Sequence, residues 1–406
     1  MKSIVLISSG QPSVNPRLVK EANALSEAGF KVFVIYSFWT KWAWETDKQL
    51  FKNCKWTPIL VGGSPYKAKL TYYYTRLRFK LARNIAKYVT FQFGFAELAK
   101  GRAYPELLNK SKSTKAALYI AHNLAALPVA VKSAKKNFSK CGFDFEDFHR
   151  QEVTDDYNDF RYRHSKFLED KYLNKCFYYT AASSLIAIEY KKLYEFLSPV
   201  VINNVFEKKQ IHISAKTENE KLKLFWFSQM IGKNRGIEDA ILALNILKNP
   251  LIELHLLGNV NEETVLYFKE MAIFDLKNLF FHSPIHPDNI FEFSTQFDIG
   301  LALEPGFCKN NTIALSNKIF SYLNSGLAII ASDTDAQKGF LEESVKRTGF
   351  IYPIGNEKKL AEIINLFFSN QNLLQECQYN ALEAVETLYN WEMESQKFLS
   401  LIRTLI

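Results

Sequence analysis

Two successive series of alternating strands and helices, separated by a polar run, predict an α/β protein of two doubly wound domains. Length supports the count, because 406 residues exceed one ordinary core and suggest two domains of about 150–200 residues. The opening supports the class. The apolar stretch "SIVLIS" is a strand, "SGQPSVNPR" is a polar loop, and a helix runs from Pro16 to Ala28. Its proline sits at the first turn, where a missing N–H is harmless. Leu18, Ala22 and Leu25 share a face, and Gly29 can close the helix in the left-handed conformation. "KVFVIYSF" is the next strand, and the helical crossover makes the pair parallel.

The remaining elements follow in order. The segment 71–93 lacks proline and reads as helix; "AALYIAHNLAALPVAV" reads as strand, loop and helix. "CGFDFEDFH" is a strand ending in acids, and "CFYYTAASSLIAIEY" is strand then helix. The polar run within residues 200–223 is the linker candidate. Beyond it "LKLFWFSQM", "LIELHLLGN", "LFFHSPI", "DIGLALEP" and "LAIIASD" are strands, with helical patterns between them and at the end. The expected division is residues 1–203, a linker at 204–222, a second domain at 223–385 and a terminal helical segment at 386–406.

Composition excludes several classes. The five cysteines (Cys54, Cys141, Cys176, Cys308, Cys377) are odd in number and form no CxxC pair, which argues against a disulfide framework or structural zinc. The apolar start is too short for a signal segment, and no window approaches the ~18–20 apolar residues of a membrane span. A cytoplasmic protein is expected. The net charge of +9 is local: residues 67–115 carry twelve Lys/Arg against Glu97 and Glu106, and the rest carries 39 basic and 40 acidic groups. At 100° per residue, Arg76, Lys80, Arg83 and Lys87 form a stripe beside Leu77, Leu81, Ile85 and Tyr88. That pattern suits an anionic membrane surface or a lipid-phosphate acceptor, and a solvated helix face is its plain alternative. No nucleic-acid-binding module accompanies the charges.

Four further stretches carry candidate chemistry. In "WFSQMIGKNRGIEDAI" a strand leads through Gly232, Lys233, Asn234, Arg235 and Gly236 into a helix start, a ready anion site. It spells neither GxGxxG nor GxxxxGK[ST], so neither a dinucleotide dehydrogenase nor a P-loop ATPase is supported. In "ALSNKIFSYLNSGLAIIASD", Asn317 and Lys318 open a helix, where a cation is unfavourable unless an anion neutralises it. His122 follows a strand in the first half, and Asn123 is placed to cap the next helix. Asp144 and Glu146 project from one side of a strand end, with His149 beyond, where carboxylates can hold sugar hydroxyls or act as a base. His149 and these acids lack a recognisable metal-ligand spacing, so no metal is expected.

Together these stretches resemble the GT-B glycosyltransferases of family four (group 1). "NPRLVKEANALSEAGFKVFVI" looks like that family's first helix and second strand, and "YIAHNLAALPVA" like the segment carrying its N-domain histidine. "SQMIGKNRGIEDAI" and "LSNKIFSYLNSGLAIIASD" look like donor-domain segments, and "NWEMESQKFLSLI" like the last helix, which returns to the N-terminal domain. The resemblance implies two Rossmann-like domains facing a cleft, with the acceptor on the first and a nucleotide-sugar on the second. It implies transfer from a UDP- or GDP-sugar to a glycan or lipid-linked acceptor, with retention and without a metal or other cofactor. Bacterial surface polysaccharide or glycoconjugate synthesis, at the inner membrane face, is the implied setting.

Carried over residue by residue, Arg235 and Lys318 would neutralise the diphosphate, and His122 would touch the donor sugar. Glu304 would make a further sugar contact. Gly10, Arg17, Gln229, Gly232, Gly236, Asn317 and Ser321 complete the implied donor site, and Asp144, Glu146 and His149 the acceptor site. The chain departs from the family pattern where two glutamates are common, with Ile313 and Ser321 in their places. Two alternatives stay open: a nucleotide-sugar epimerase of the same fold, and a non-catalytic basic protein binding membrane or nucleic acid.

Overall fold

A computed structural model of the chain describes residues 1–209, 211 and 221–406. It divides into two compact units, Met1–Asn203 with Cys308–Asn310 and Ser395–Ile406, and Asn204–Phe307 with Asn311–Glu394. Residues 210 and 212–220 of the expected linker lie outside the described residues.

The first unit is built on β1 (Ser3–Ser8), β2 (Lys31–Ser37), β3 (Thr57–Val61), β4 (Leu118–His122), β5 (Lys140–Phe145), β6 (Tyr178–Ala181) and β7 (Val200–Val201). All pair in parallel, in the order β3-β2-β1-β4-β5-β6-β7. Strands covered on both faces must be apolar nearly throughout, and Ile4 to Ile7 and Leu118 to Ala121 are accordingly buried. The first helix spans Pro16–Glu27, capped by the Asn15 side chain on Leu18 N–H, and Gly29 follows at φ +87°. The chain returns to this unit at its end, where Lys140 donates to the Leu405 carbonyl at 2.7 Å.

The second unit holds β8 (Leu222–Met230), β9 (Ile252–Asn259), β10 (Leu279–His282), β11 (Ile299–Ala302), β12 (Ala328–Ser332) and β13 (Gly349–Tyr352). The order β10-β9-β8-β11-β12-β13 is again parallel throughout. One apolar cluster, including Trp226, Ile241, Leu256, Leu301 and Phe367, forms its core.

Each sheet has a topological switch point, between β1 and β4 and between β8 and β11, from which the strand order runs outward both ways. The carboxyl ends beside such a point are where open α/β sheets bind ligands. Two local corrections accompany this agreement. The basic helix spans Lys69–Tyr88 and stops short of Phe93: its C-cap Val89 already leaves helical geometry at φ −121° and ψ −68°, and Phe93 and Gly94 beyond both have positive φ. Its buried residues are Tyr72, Thr75, Ala82 and Ala86, while Leu77, Leu81 and Tyr88 of the expected apolar stripe are exposed.

Candidate active site

In the second unit, the loop after β8 and the segment after β11 converge at the switch point. Gly236, at φ +78°, precedes the helix Ile237–Leu247. A Cβ added there would lie 2.5 Å from Leu303 Cβ and 2.7 Å from its carbonyl oxygen, so the close approach needs glycine. That contact sets the Arg235 loop beside Glu304. Arg235 is exposed and donates to Ser228 Oγ at 2.6 Å and to the Met230 carbonyl at 2.7 Å. These bonds fold the guanidinium along its own strand and leave three N–H donors of its five. One amide of the loop is already used, since Asn234 N–H donates to Glu238 at 2.7 Å. A Cβ added at Gly232 would lie 3.8 Å from Arg235 Cδ, an ordinary contact, and Gln229 is exposed, its carbonyl accepting from Asn259.

The structure supplies an anion for Lys318 from within the chain. Lys318 Nζ lies 2.6 Å from Glu304 Oε1, and it sits 5.6 Å from the ring of Trp226 on β8. Ser316 donates to the same oxygen at 2.8 Å and Asn311 to Oε2 at 3.4 Å. Burial alone would raise the Glu304 pKa, but Lys318 and these donors pull it down to about 2. The carboxylate stands at the start of helix Asn317–Asn324, where negative charge is favoured. Glu304, read from sequence as a sugar contact, therefore fixes the ammonium at the switch point. Asn317 is exposed and accepts from Asn204 at 3.0 Å. Ser321 is buried and donates back to the Asn317 carbonyl. Within this helix the side chain turns inward.

In the first unit the structure gathers Arg17, Glu21, His122, Asp144 and Glu146 into one buried cluster. His122 is fully buried, its Nε2 3.1 Å from Glu21 and its Nδ1 3.0 Å from Glu146 and 3.5 Å from Asp144. Burial would lower the imidazole pKa, yet Glu21 and then Glu146 hold it up at about 10. Arg17 clamps Asp144 with two N–H groups and donates to the Ile202 carbonyl, and Thr180 also donates to Asp144. Sequence reasoning put Arg17 at the donor, His122 at the sugar and Asp144 at the acceptor; the structure puts all three inside the first unit, engaged with one another. Only Glu146 of this set is partly exposed, and it also accepts from Asn15. Gly10 N–H donates to Ser8 Oγ, and the surroundings leave room for a Cβ.

Donor atoms of His122, Asp144 and Glu146 lie within 4.8 Å of one another. They make a poor metal set, because Arg17 holds both Asp144 oxygens and a protonated imidazole offers no lone pair. Asp147, His149 and Glu152 form a second group of that size. There His149 is buried 3.4 Å from Glu152, and burial pushes Asp147 up to about 6.

The second unit also matches a known family. Residues 208–384 fit the family described as "Glycosyl transferases group 1". This likeness to the group 1 glycosyltransferases spans less than half of the chain. The fold agrees along the whole chain with solved glycosyltransferase structures. Sucrose-phosphate synthase from Thermosynechococcus elongatus superposes with a TM-score of 0.73 at 13% identity, covering 100% of this chain and 99% of the other. Anabaena HepE, solved with UDP and glucose, gives 0.69 at 13% identity with both chains fully covered. S. aureus TarM, solved with UDP among its ligands, gives 0.70 at 11% identity over 99% of each chain. No curated protein matches the sequence. The fold of the chain is thus GT-B, with two Rossmann-like units.

Proposed function

We propose that the chain moves a hexosyl group from a UDP- or GDP-sugar to a glycan or lipid-linked acceptor, with retention and without a metal. The observation that carries this reading is the convergence of Arg235 and the Glu304-held Lys318 at the β8/β11 switch point. Transfer breaks the bond between the anomeric carbon and a phosphate oxygen. The electron pair stays on the diphosphate, the acceptor oxygen bonds the carbon, and the acceptor proton leaves. Charge on the departing diphosphate is the main electrostatic demand, which preorganised cations meet. UDP in the Anabaena HepE and S. aureus TarM structures supports a nucleoside diphosphate as the donor's leaving group. The first unit would take the acceptor. A thermal-shift screen of UDP, GDP, ADP, CMP and dTDP tests the class: one nucleoside diphosphate should stabilise the protein, by about 2.7 kcal/mol at a hundredfold excess over Kd. Equal indifference to all five contradicts it.

We further propose that the enzyme works at an anionic membrane surface, in bacterial glycoconjugate or surface polysaccharide synthesis. No described helix is long and apolar enough to cross a membrane. Helix Lys69–Tyr88 instead exposes Leu70, Tyr73, Leu77, Leu81 and Tyr88, with the basic residues alongside. Such a face inserts shallowly while its cations meet headgroups. Replacing Leu77 and Leu81 by Gln should reduce sedimentation with phosphatidylglycerol vesicles severalfold and leave thermal stability unchanged, since both side chains are already exposed. Undiminished sedimentation would remove the membrane reading.

A further inference from the structure

The basic residues of helix Lys69–Tyr88 do not simply face solvent. Arg76, Lys80 and Arg83 line a cavity of about 600 Å³ in the first unit, together with Lys100, Arg102 and Arg161. The described lining includes no Asp or Glu. Arg161 is neutralised by Asp159, at 2.8 Å. The other five cations make no ion pair among the described residues. Arg102 bonds only to neutral oxygens, at Phe38, Gly62, Gly63 and Thr75. Its guanidinium lies 4.9 Å from the Tyr72 ring centroid, and that of Arg76 lies 5.5 Å from the same ring. Two guanidiniums around one phenol ring repel unless something negative lies nearby. Lys100 donates to Ser165 Oγ at 2.9 Å. Burial pulls its ammonium below the ordinary range, although Glu152 and Glu169 push the other way.

The cavity is also placed for ligand. Its wall includes Ser9, just past β1, and Ser37 to Trp39, at and past the end of β2, so it opens at the carboxyl edge of the sheet. Ser37 donates to the Ser9 carbonyl, and Ser9 Oγ donates to Asn123, the residue after His122. The rim is thus tied to the switch point of its own sheet. His164 cannot add charge, since burial lowers its pKa to about 4, and it faces the Ala96 carbonyl at 2.7 Å.

We infer that this cavity binds a phosphate group, and that the acceptor of the transfer is a phosphorylated molecule whose phosphate is held by Arg76, Lys80, Arg83, Lys100 and Arg102. Five cations without an ion pair among the described residues exceed what one carboxylate can neutralise, whereas a phosphate carries up to two charges and accepts several charge-assisted bonds. This inference rests on the reading that the first unit takes the acceptor. The same chemistry can come from a soluble phosphorylated glycan or from a lipid headgroup.

The test is a titration of the full chain with glycerol 3-phosphate, glucuronate and glycerol. Glycerol 3-phosphate should bind, glucuronate at least tenfold more weakly, and glycerol not at all. The Arg76→Gln/Arg102→Gln variant should weaken phosphate binding at least tenfold. Because Arg102 also braces the fold, Lys80→Gln/Arg83→Gln serves as a second variant with the same expectation. Lys135→Gln/Lys136→Gln, an equal charge change on exposed residues, should leave binding unaltered. Sedimentation with phosphatidylcholine vesicles, with and without phosphatidic acid, separates the sources. Binding to phosphatidic acid that glycerol 3-phosphate displaces assigns a lipid acceptor, and binding of the soluble probe alone assigns a soluble one. No binding of the phosphate probe, equal affinity for glucuronate, or equal loss in all three variants overturns the inference. UDP and GDP titrated in parallel report on the second unit, so failure there is distinguishable.

Discussion

Lys318→Met is expected to lower the rate of sugar transfer by about 10²–10³-fold, the usual effect of losing one preorganised group that stabilises developing negative charge. Methionine keeps the apolar stem that packs towards Trp226 and removes only the charge. The substitution also strands Glu304, whose side chain is 18% exposed and already held by Ser316 and Asn311. Its carboxylate would lose its main counter-ion, at a cost on the order of 1–3 kcal/mol. Stability and catalysis must therefore be separated. Lys318→Met/Glu304→Gln removes both charges and should recover the stability but not the rate. Recovery of rate in the double variant would show that the ammonium merely neutralises Glu304. Glu304 itself should give no inflection in a pH–rate profile near neutrality. Its pKa is depressed, so its contribution is present above about pH 4.5 and fades as pH falls towards 2.

Arg17→Met should destabilise the first unit by about 3–5 kcal/mol, because it leaves Asp144 buried without its cation. Arg17 and Asp144 are 2% and 0% exposed, and Glu21 beside them is also fully buried. Urea unfolding followed by a probe in the first unit measures the change, since a chain of two units need not unfold in one step. A loss below about 1 kcal/mol would mean that the cluster relaxes or takes up protons without cost. The pH dependence has a definite sign. His122 has a raised pKa when folded, so its stabilisation is complete below about pH 6.5, its unfolded value, and is lost as pH rises through about 10. Glu21, raised by burial, acts in the same direction. His122→Asn should flatten the fall in stability across that window by up to about 1.4 kcal/mol per pH unit.

What could be read from sequence follows from the range of the forces involved. The β-α alternation, Pro16 at a first turn and Gly29 at φ +87° are local matters, and they stand in the structure as read. Strand Thr57–Val61 escapes notice because it is a half-exposed edge strand containing Pro58, which only an edge tolerates. On helix Lys69–Tyr88, periodicity defines two neighbouring stripes without saying which one packs. The small Ala82 and Ala86 allow close approach, so the leucines are left outside. The convergence of Arg235, Glu304 and Lys318 was half visible, since each follows a strand end. Their order in the sheet was not. Lys318's counter-ion lies fourteen residues upstream at the end of the preceding strand, a signal that the acid in "DIGLALE" already offered. Arg17 and Asp144 are 127 residues apart, and no local pattern joins them. Nor does any spacing reveal that cations from helix Lys69–Tyr88 and from Lys100 and Arg102 share one cavity.

The most direct test of the account is calorimetric titration of UDP and GDP into the intact chain and its Arg235→Ala and Lys318→Ala variants. Selective binding of one nucleotide, weakened at least tenfold in each variant, is the predicted result; each tenfold is about 1.4 kcal/mol. Affinity unchanged in both variants, or no binding of either nucleotide, would contradict the placement of the donor diphosphate at the β8/β11 switch point.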